Sequence, residues 1–220
     1  GNLGKKYFGN IKIGGENGFE RVREVQTKPA LLVHHKKTDQ AHLVLGVRGY
    51  PLGHPDRYAM ALLTIILGGN MSSRLFLEVR EKRGLAYYVH AGAEEFADTG
   101  YFAAAAGVRI ADTDEAVKVI LGVLGFVGVK DEELRRAKDF WKGKIALALE
   151  DSFKVASFYT GQELLEKKIE TPETMIEKVE AVTREDIKKV AKDIFKDQKL
   201  NLAVIGPFKD EGKFEKILRI

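Results

Sequence analysis

The chain has 220 residues, 45% of them hydrophobic and 31% charged, with a formal net charge of +4; that is enough for one full core and requires no second domain. It contains no cysteine, which excludes disulfides, thiol catalysis and thiolate metal sites and fits a reducing compartment. No apolar run approaches the roughly 18–20 residues that span a bilayer, and the lysines interleave with glutamates, as in 130–138 and 177–193, instead of forming the single-sign field of a nucleic-acid binder.

Residues 1–27 make a poor domain start: GKKYFGNI (4–11) reads as the tail of a helix belonging to something upstream, and GGENG (14–18) reads as a linker. Ordered structure is expected from about Ala30, within a domain running from 28 to 220. ALLVHHK (30–36) and AHLVLGVRGY (41–50) carry the aliphatic and β-branched content of two strands. Pro55, with His54 before it, suits the first turn of a helix. Along that helix Tyr58, Leu62, Leu63, Ile65 and Ile66 repeat at helical spacing, and Gly68 suits its C-terminal cap. A short charged helix follows the Gly68-Gly69 pair and breaks at Gly84. AYYVHAGAEEF (86–96) and GYFAAAAGVRI (100–110) then read as a hairpin, and their small residues imply that something packs closely on one face. Asp112 with Glu115 three residues on marks the next helix start. Helix dominates 113–196, broken near Gly128, Asp151, Thr171 and Thr183, with Thr171-Pro172 as a cap and first-turn proline. A late strand, KLNLAVIG (199–206), precedes a short basic tail helix. Strands, then helices, then a final strand predict an α+β fold in two layers, with helices packed on one face of a mostly antiparallel sheet.

The chemistry-bearing residues are sparse. Neither HExxH nor its inverse HxxEH occurs among the five histidines, His34, His35, His42, His54 and His90. His34 and His35 are adjacent on a strand and point to opposite faces. His90 and Glu94 share a strand face but lie about 13 Å apart, too far for one metal. No metal site is expected from this chain's own residues. There is no GxSxG elbow, and Ser72-Ser73 sit at a helix start, where capping explains them. Gly68-Gly69-Asn70 lacks the Lys-Ser/Thr of a phosphate loop. Arg80 and Tyr87 remain, seven residues apart across the Gly84 break, positioned so that both reach a common point beyond the sheet edge. The plain alternative is that Arg80 pairs with Glu78 or Glu81 and Tyr87 simply packs.

LGGNMSSRLFLEVREKRGLAYYVHAGAEEFADTGYFAAAAGV (67–108) resembles the C-terminal half of the pitrilysin and mitochondrial-processing-peptidase family of inverted zincins, and the likeness runs from about Lys28 to Pro207. The resemblance implies the LuxS/MPP-like metallohydrolase fold and a zinc endopeptidase built as two halves that close like a clamshell. It assigns substrate binding to Arg80 and Tyr87, with Gly68, Gly69 and Gly84 shaping the supporting loop. It places zinc on the other half, whether upstream or a partner subunit carrying HxxEH. Peptide or unfolded polypeptide is then the substrate, the isolated chain is inactive, and the cytoplasm is the expected compartment, with neither nucleic acid nor membrane as partner. The alternative within the same fold is a catalytically inactive scaffold or peptide-presenting subunit.

Overall fold

In the computed structural model the described residues are 2–12, 14, 18–125, 128–166 and 168–220. Strands β1 (Ala30–His35), β2 (Gln40–Arg48), β3 (Ala86–Glu95), β4 (Gly100–Arg109) and β5 (Asn201–Gly206) form one sheet. Its order is β1-β5-β2-β4-β3, and only the β1–β5 pairing is parallel. The period-2 alternation of strand side chains decides which face is covered. On one face Ala41, Leu43, Leu45 and Val47 of β2 and Phe102, Ala104, Ala106 and Val108 of β4 are buried. On the other, Leu32, Val44, Tyr101 and Ile205 are exposed. Helices cover the first face: α2 (Arg57–Gly68) through Leu62, Leu63, Ile66 and Leu67, α3 (Thr113–Gly125) through Val117, Ile120, Leu121 and Leu124. The predicted two-layer α+β arrangement is what the chain adopts.

The remaining helices are α1 (Asn2–Phe8), α4 (Asp131–Ala148), α5 (Ser152–Leu165), α6 (Pro172–Ala181), α7 (Arg184–Ile194) and α8 (Gly212–Glu215). Their starts follow the capping residues. Asp151 accepts the Lys154 amide at 2.8 Å, Thr171 accepts that of Thr174 ahead of the proline, and Thr183 with Asp186 forms a reciprocal capping box. On α7 the buried Ile187, Val190, Ala191 and Ile194 recur at helical spacing and close the core. Among the described residues no helix is long and apolar enough to cross a membrane.

Several local expectations give way to tertiary structure. The expected linker falls largely on 15–17, outside the described residues. Ahead of β1, Val22 donates to Asp98 at 2.7 Å and Gln26 to the Leu200 carbonyl at 2.9 Å, tying the chain to the sheet eight residues before its first strand. Helix α2 begins at Arg57, not Pro55; His54 accepts the Asp56 amide through Nδ1 at 3.1 Å while its ring stacks on Tyr50. At the α3 start the Asp112 carboxylate is taken by Arg109, so Thr113 enters the helix directly from a 3-10 turn over Ile110–Asp112.

Gly68 does not cap α2. It is the last helical residue, buried, and a Cβ there would sit 2.5 Å from the Cβ and the backbone nitrogen of Ala91 on β3. The cap is Gly69, in an ordinary right-handed conformation with φ −80°. Gly68 therefore lets helix and strand touch, whereas Gly122 in α3 is exposed with nothing within 4 Å of its missing Cβ. Gly68→Ala is expected to destabilise the chain by about 1–3 kcal/mol through overpacking. Gly122→Ala is expected to stabilise it by about 0.5–1 kcal/mol through helix propensity. Urea unfolding of the two variants tests this contrast; equal shifts would contradict it.

A buried ionic cluster fastens α2 to the α5–α6 connection. The Arg57 guanidinium pairs with Glu166 and, at 2.9 Å, with Glu170, to which the Tyr58 hydroxyl donates at 2.5 Å and Lys178 supplies a second cation. Gln162 accepts the Glu170 amide at 2.7 Å and returns a bond to its carbonyl at 3.2 Å. Burial opposes ionisation of Glu170, but Lys178, Tyr58 and Arg57 outweigh it and hold the carboxyl down to about 2. Its native value lies below its ordinary value of 4.5, so its contribution is complete above the ordinary value and lost as pH falls through the native one. Glu170→Gln should cost on the order of 3 kcal/mol at neutral pH. That difference should shrink between about pH 4.5 and 2 in paired urea titrations; a pH-independent difference would contradict the assignment.

Candidate substrate-binding site

After α2 the chain turns through Asn70, whose side-chain oxygen accepts both the amide and the hydroxyl of Ser72. The expected capping role of the two serines is thus reversed: Asn70 holds Ser72, while the buried Ser73 hydroxyl has no partner among the described residues. Arg74 then grips the Glu133 carboxylate with two nitrogens, at 2.7 and 2.8 Å, and also the Gly128 carbonyl. This two-pronged geometry fixes the turn against the start of α4.

The short charged helix is wider than an α-helix. Phe76–Glu81 is a π-helix, with Val79 fully buried. Such turns carry one extra residue and recur at functional sites. The helix ends on Gly84, whose φ of +60° is the left-handed conformation a Cβ disfavours. Across it the Gly84 amide donates to the Arg80 carbonyl at 3.0 Å and the Leu85 amide to the Val79 carbonyl at 2.9 Å. This closure is one residue wider than the common glycine-capped helix end. Leu85 and Ala86 are buried beneath it, and β3 leaves at once.

Arg80 and Tyr87 stand on either side of that closure. Both are exposed, Tyr87 at 55%. The pairing anticipated as the plain alternative does not form. Glu78 is taken by Lys82 at 2.5 Å and Arg83 at 2.6 Å, which hold its carboxyl below the ordinary range. Among the described residues Arg80 has no ion pair; its guanidinium lies 5.1 Å above the Phe76 ring. A cation over a ring keeps its N–H groups, which lie in the guanidinium plane, available to an acceptor. Gly84 belongs to the closure itself, whereas Gly68 and Gly69 sit further back, where α2 meets β3 and ends.

The histidines do not assemble a centre. His35 bonds the Phe208 carbonyl at 3.1 Å through Nδ1, and His54 serves the α2 start. Among the described residues no three of His, Asp and Glu converge as metal ligands.

One neighbour escaped the spacing argument. Tyr88 is also exposed, and it bonds His42 of β2 at 3.1 Å. Consecutive tyrosines at the head of an alternating strand were the available signal, since strict alternation would bury one of the two. Replacing Gly84 by Ala should cost about 1–2 kcal/mol, because the left-handed conformation is penalised although the space is open. Gly84→Asn should lose less, Asn being tolerated there. Denaturant midpoints for the pair check this, and equal losses would contradict it.

The sequence profile described as peptidase M16 inactive domain matches residues 2–140. An uncharacterized zinc protease of Streptomyces coelicolor is 38% identical over 80% of the chain and 39% of its own length. The uncharacterized zinc protease YmxG of Bacillus subtilis is 34% identical over 92% of the chain and 50% of its own length. In structure, a protease from Helicobacter pylori aligns with a TM-score of 0.81 at 24% identity, over 94% of the chain and 52% of its own. A peptidase M16 inactive domain from Pseudomonas fluorescens gives 0.77 at 23% identity, over 88% of the chain and 47% of its own. The chain spans at most about half the length of these relatives.

Proposed function

Since the chain belongs to the peptidase M16 inactive-domain family, we propose that it is the non-zinc half of a zinc-dependent endopeptidase and binds the peptide substrate across the cleft between halves. The observation that carries this reading is Arg80: an exposed guanidinium with no carboxylate partner among the described residues, although Glu78 is within reach of its neighbours, set one closure away from an exposed phenol. A surface arginine with no structural role to fill is an inexpensive source of directed N–H donors. Zinc and the general base belong to the other half, upstream in the same polypeptide or on a partner subunit with HxxEH, and supply the hydrolytic chemistry there. Residues 1–27 are assigned to the end of that upstream half. The complete exposure of α1, including Leu3, Tyr7 and Phe8, supports this, for such a helix has its packing partner elsewhere.

Arg80 and Tyr87 act as hydrogen-bond donors. A peptide carbonyl gains negative charge as it is attacked, and a guanidinium and a phenol aimed at its oxygen or at the adjoining backbone stabilise that charge. The donors arrive on a separate half, so the site is complete only when the two halves close on an extended, unfolded polypeptide in the cytoplasm. Edge pairing on the zinc half holds the peptide's backbone, and this half reads it from above. In the reconstituted enzyme Arg80→Ala and Tyr87→Phe should each lower peptide turnover by about 10²–10³, the range for one such donor, without changing the fold. Unchanged turnover in both variants would refute this role.

A further inference from the structure

We infer that Tyr88, seated across Gly107 and bonded to His42, is the positioning residue that holds the Tyr87 phenol at the mouth of the site. The inference rests on the substrate-binding reading of Tyr87. Ala86 pairs with Val108 and Tyr88 with Gly107, so two steps along β3 answer one along β4 and Tyr87 is the extra residue of a β-bulge. The burial pattern records the same insertion. Ala86 and Val89 are both buried although three residues apart, while Tyr87 and Tyr88 between them are both exposed. In an uninterrupted strand Tyr87 would share the inward face of Val89 and Ala91. The bulge is what presents it to solvent.

A bulge between two identical residues has a competing arrangement, a slip by one residue that would seat Tyr87 where Tyr88 now lies. Three contacts set the observed register. Gly107 stands directly opposite both Tyr88 on β3 and His42 on β2. A Cβ at 107 would sit 2.4 Å from Cε1 of the Tyr88 ring and 2.9 and 3.1 Å from its Cδ1 and Cζ, so the ring occupies the space over the glycine. Its hydroxyl then meets His42 Nδ1 at 3.1 Å, with the two rings stacked at 6.1 Å. On its other side the Tyr88 ring stacks on His90 of the same strand at 5.9 Å. Tyr88 is thus held at ring and hydroxyl, and Tyr87, which has no contact of this kind among the described residues, is left for substrate.

The test uses the enzyme reconstituted with its zinc-bearing half. Tyr88→Ala, and independently Gly107→Ala, should lower kcat by roughly tenfold or more. Tyr88→Phe, which keeps the ring on its seat, should retain turnover within about threefold. In combination, Tyr87→Phe with Tyr88→Ala should be no slower than Tyr87→Phe alone, because the second residue acts through the first. Multiplicative losses, or full activity in Tyr88→Ala beside a crippled Tyr87→Phe, would overturn the inference while leaving the role of Tyr87 intact. If Tyr87→Phe is itself fully active, the substrate-binding reading falls. The crystal structure of the Tyr88→Ala enzyme then decides the inference: a displaced Tyr87 or a slipped β3 register upholds it, and an unmoved bulge overturns it.

Discussion

At the candidate site the chain reverses between Val79 and Leu85, and the wider of two backbone hydrogen bonds, from the Leu85 amide to the Val79 carbonyl, ties the reversal shut across the left-handed Gly84. Its two ends are anchored in the core: Val79 is fully buried from the helix side and Leu85 from the strand side. With both anchors fixed, the residues just outside them project from a rigid frame. Arg80 follows one anchor, and Tyr87 comes two residues after the other. A loop of the same length without the closure would let both side chains wander, and an arginine that wanders this close to Glu78 would be captured by it. Here Lys82 and Arg83 occupy Glu78 and leave Arg80 over Phe76.

The frame depends in turn on how closely α2 meets β3. Gly68 brings the helix backbone against Ala91, and the methyl-sized side chains of β4, Ala104 and Ala106, let the helical layer lie close to the sheet. On the opposite face Gly107 allows the Tyr88 ring the same intimacy. The small residues of the hairpin therefore act on both faces, one setting the helix and the other the tyrosine row. Further along, the Arg57–Glu170 cluster ties the start of α2 to the α5–α6 connection, so the helix is held at both ends. A buried carboxylate with three donors costs much to form and resists loss of any single partner, which suits a joint between layers more than a reactive group.

Local pattern made much of this legible. The alternation in β2 and β4, the helical spacing in α2 and the caps at Asp151, Thr171 and Thr183 each follow from forces that act within a few residues. The break at Gly84 and the seven-residue spacing of Arg80 and Tyr87 were visible for the same reason. What escaped was set by distant partners. Strand β5 enters between β1 and β2 and runs parallel to β1, a pairing over about 170 residues that no local signal encodes. Gly68 looked like a helix cap because a glycine near a helix end usually is one; its real neighbour, Ala91, is 23 residues away. The extra residue in the π-helix and the extra residue at Tyr87 each shift a periodicity by one, a change that spacing rules average out.

The proposed function rests on Arg80 and Tyr87 facing a bound peptide from the wall opposite the metal. The most direct measurement is a crystal structure of the two joined halves with an uncleaved peptide in the cleft. An oxygen of the peptide backbone is expected within about 2.7–3.2 Å of the Arg80 guanidinium or the Tyr87 hydroxyl. A peptide bound elsewhere, or either side chain covered by the other half, would contradict it.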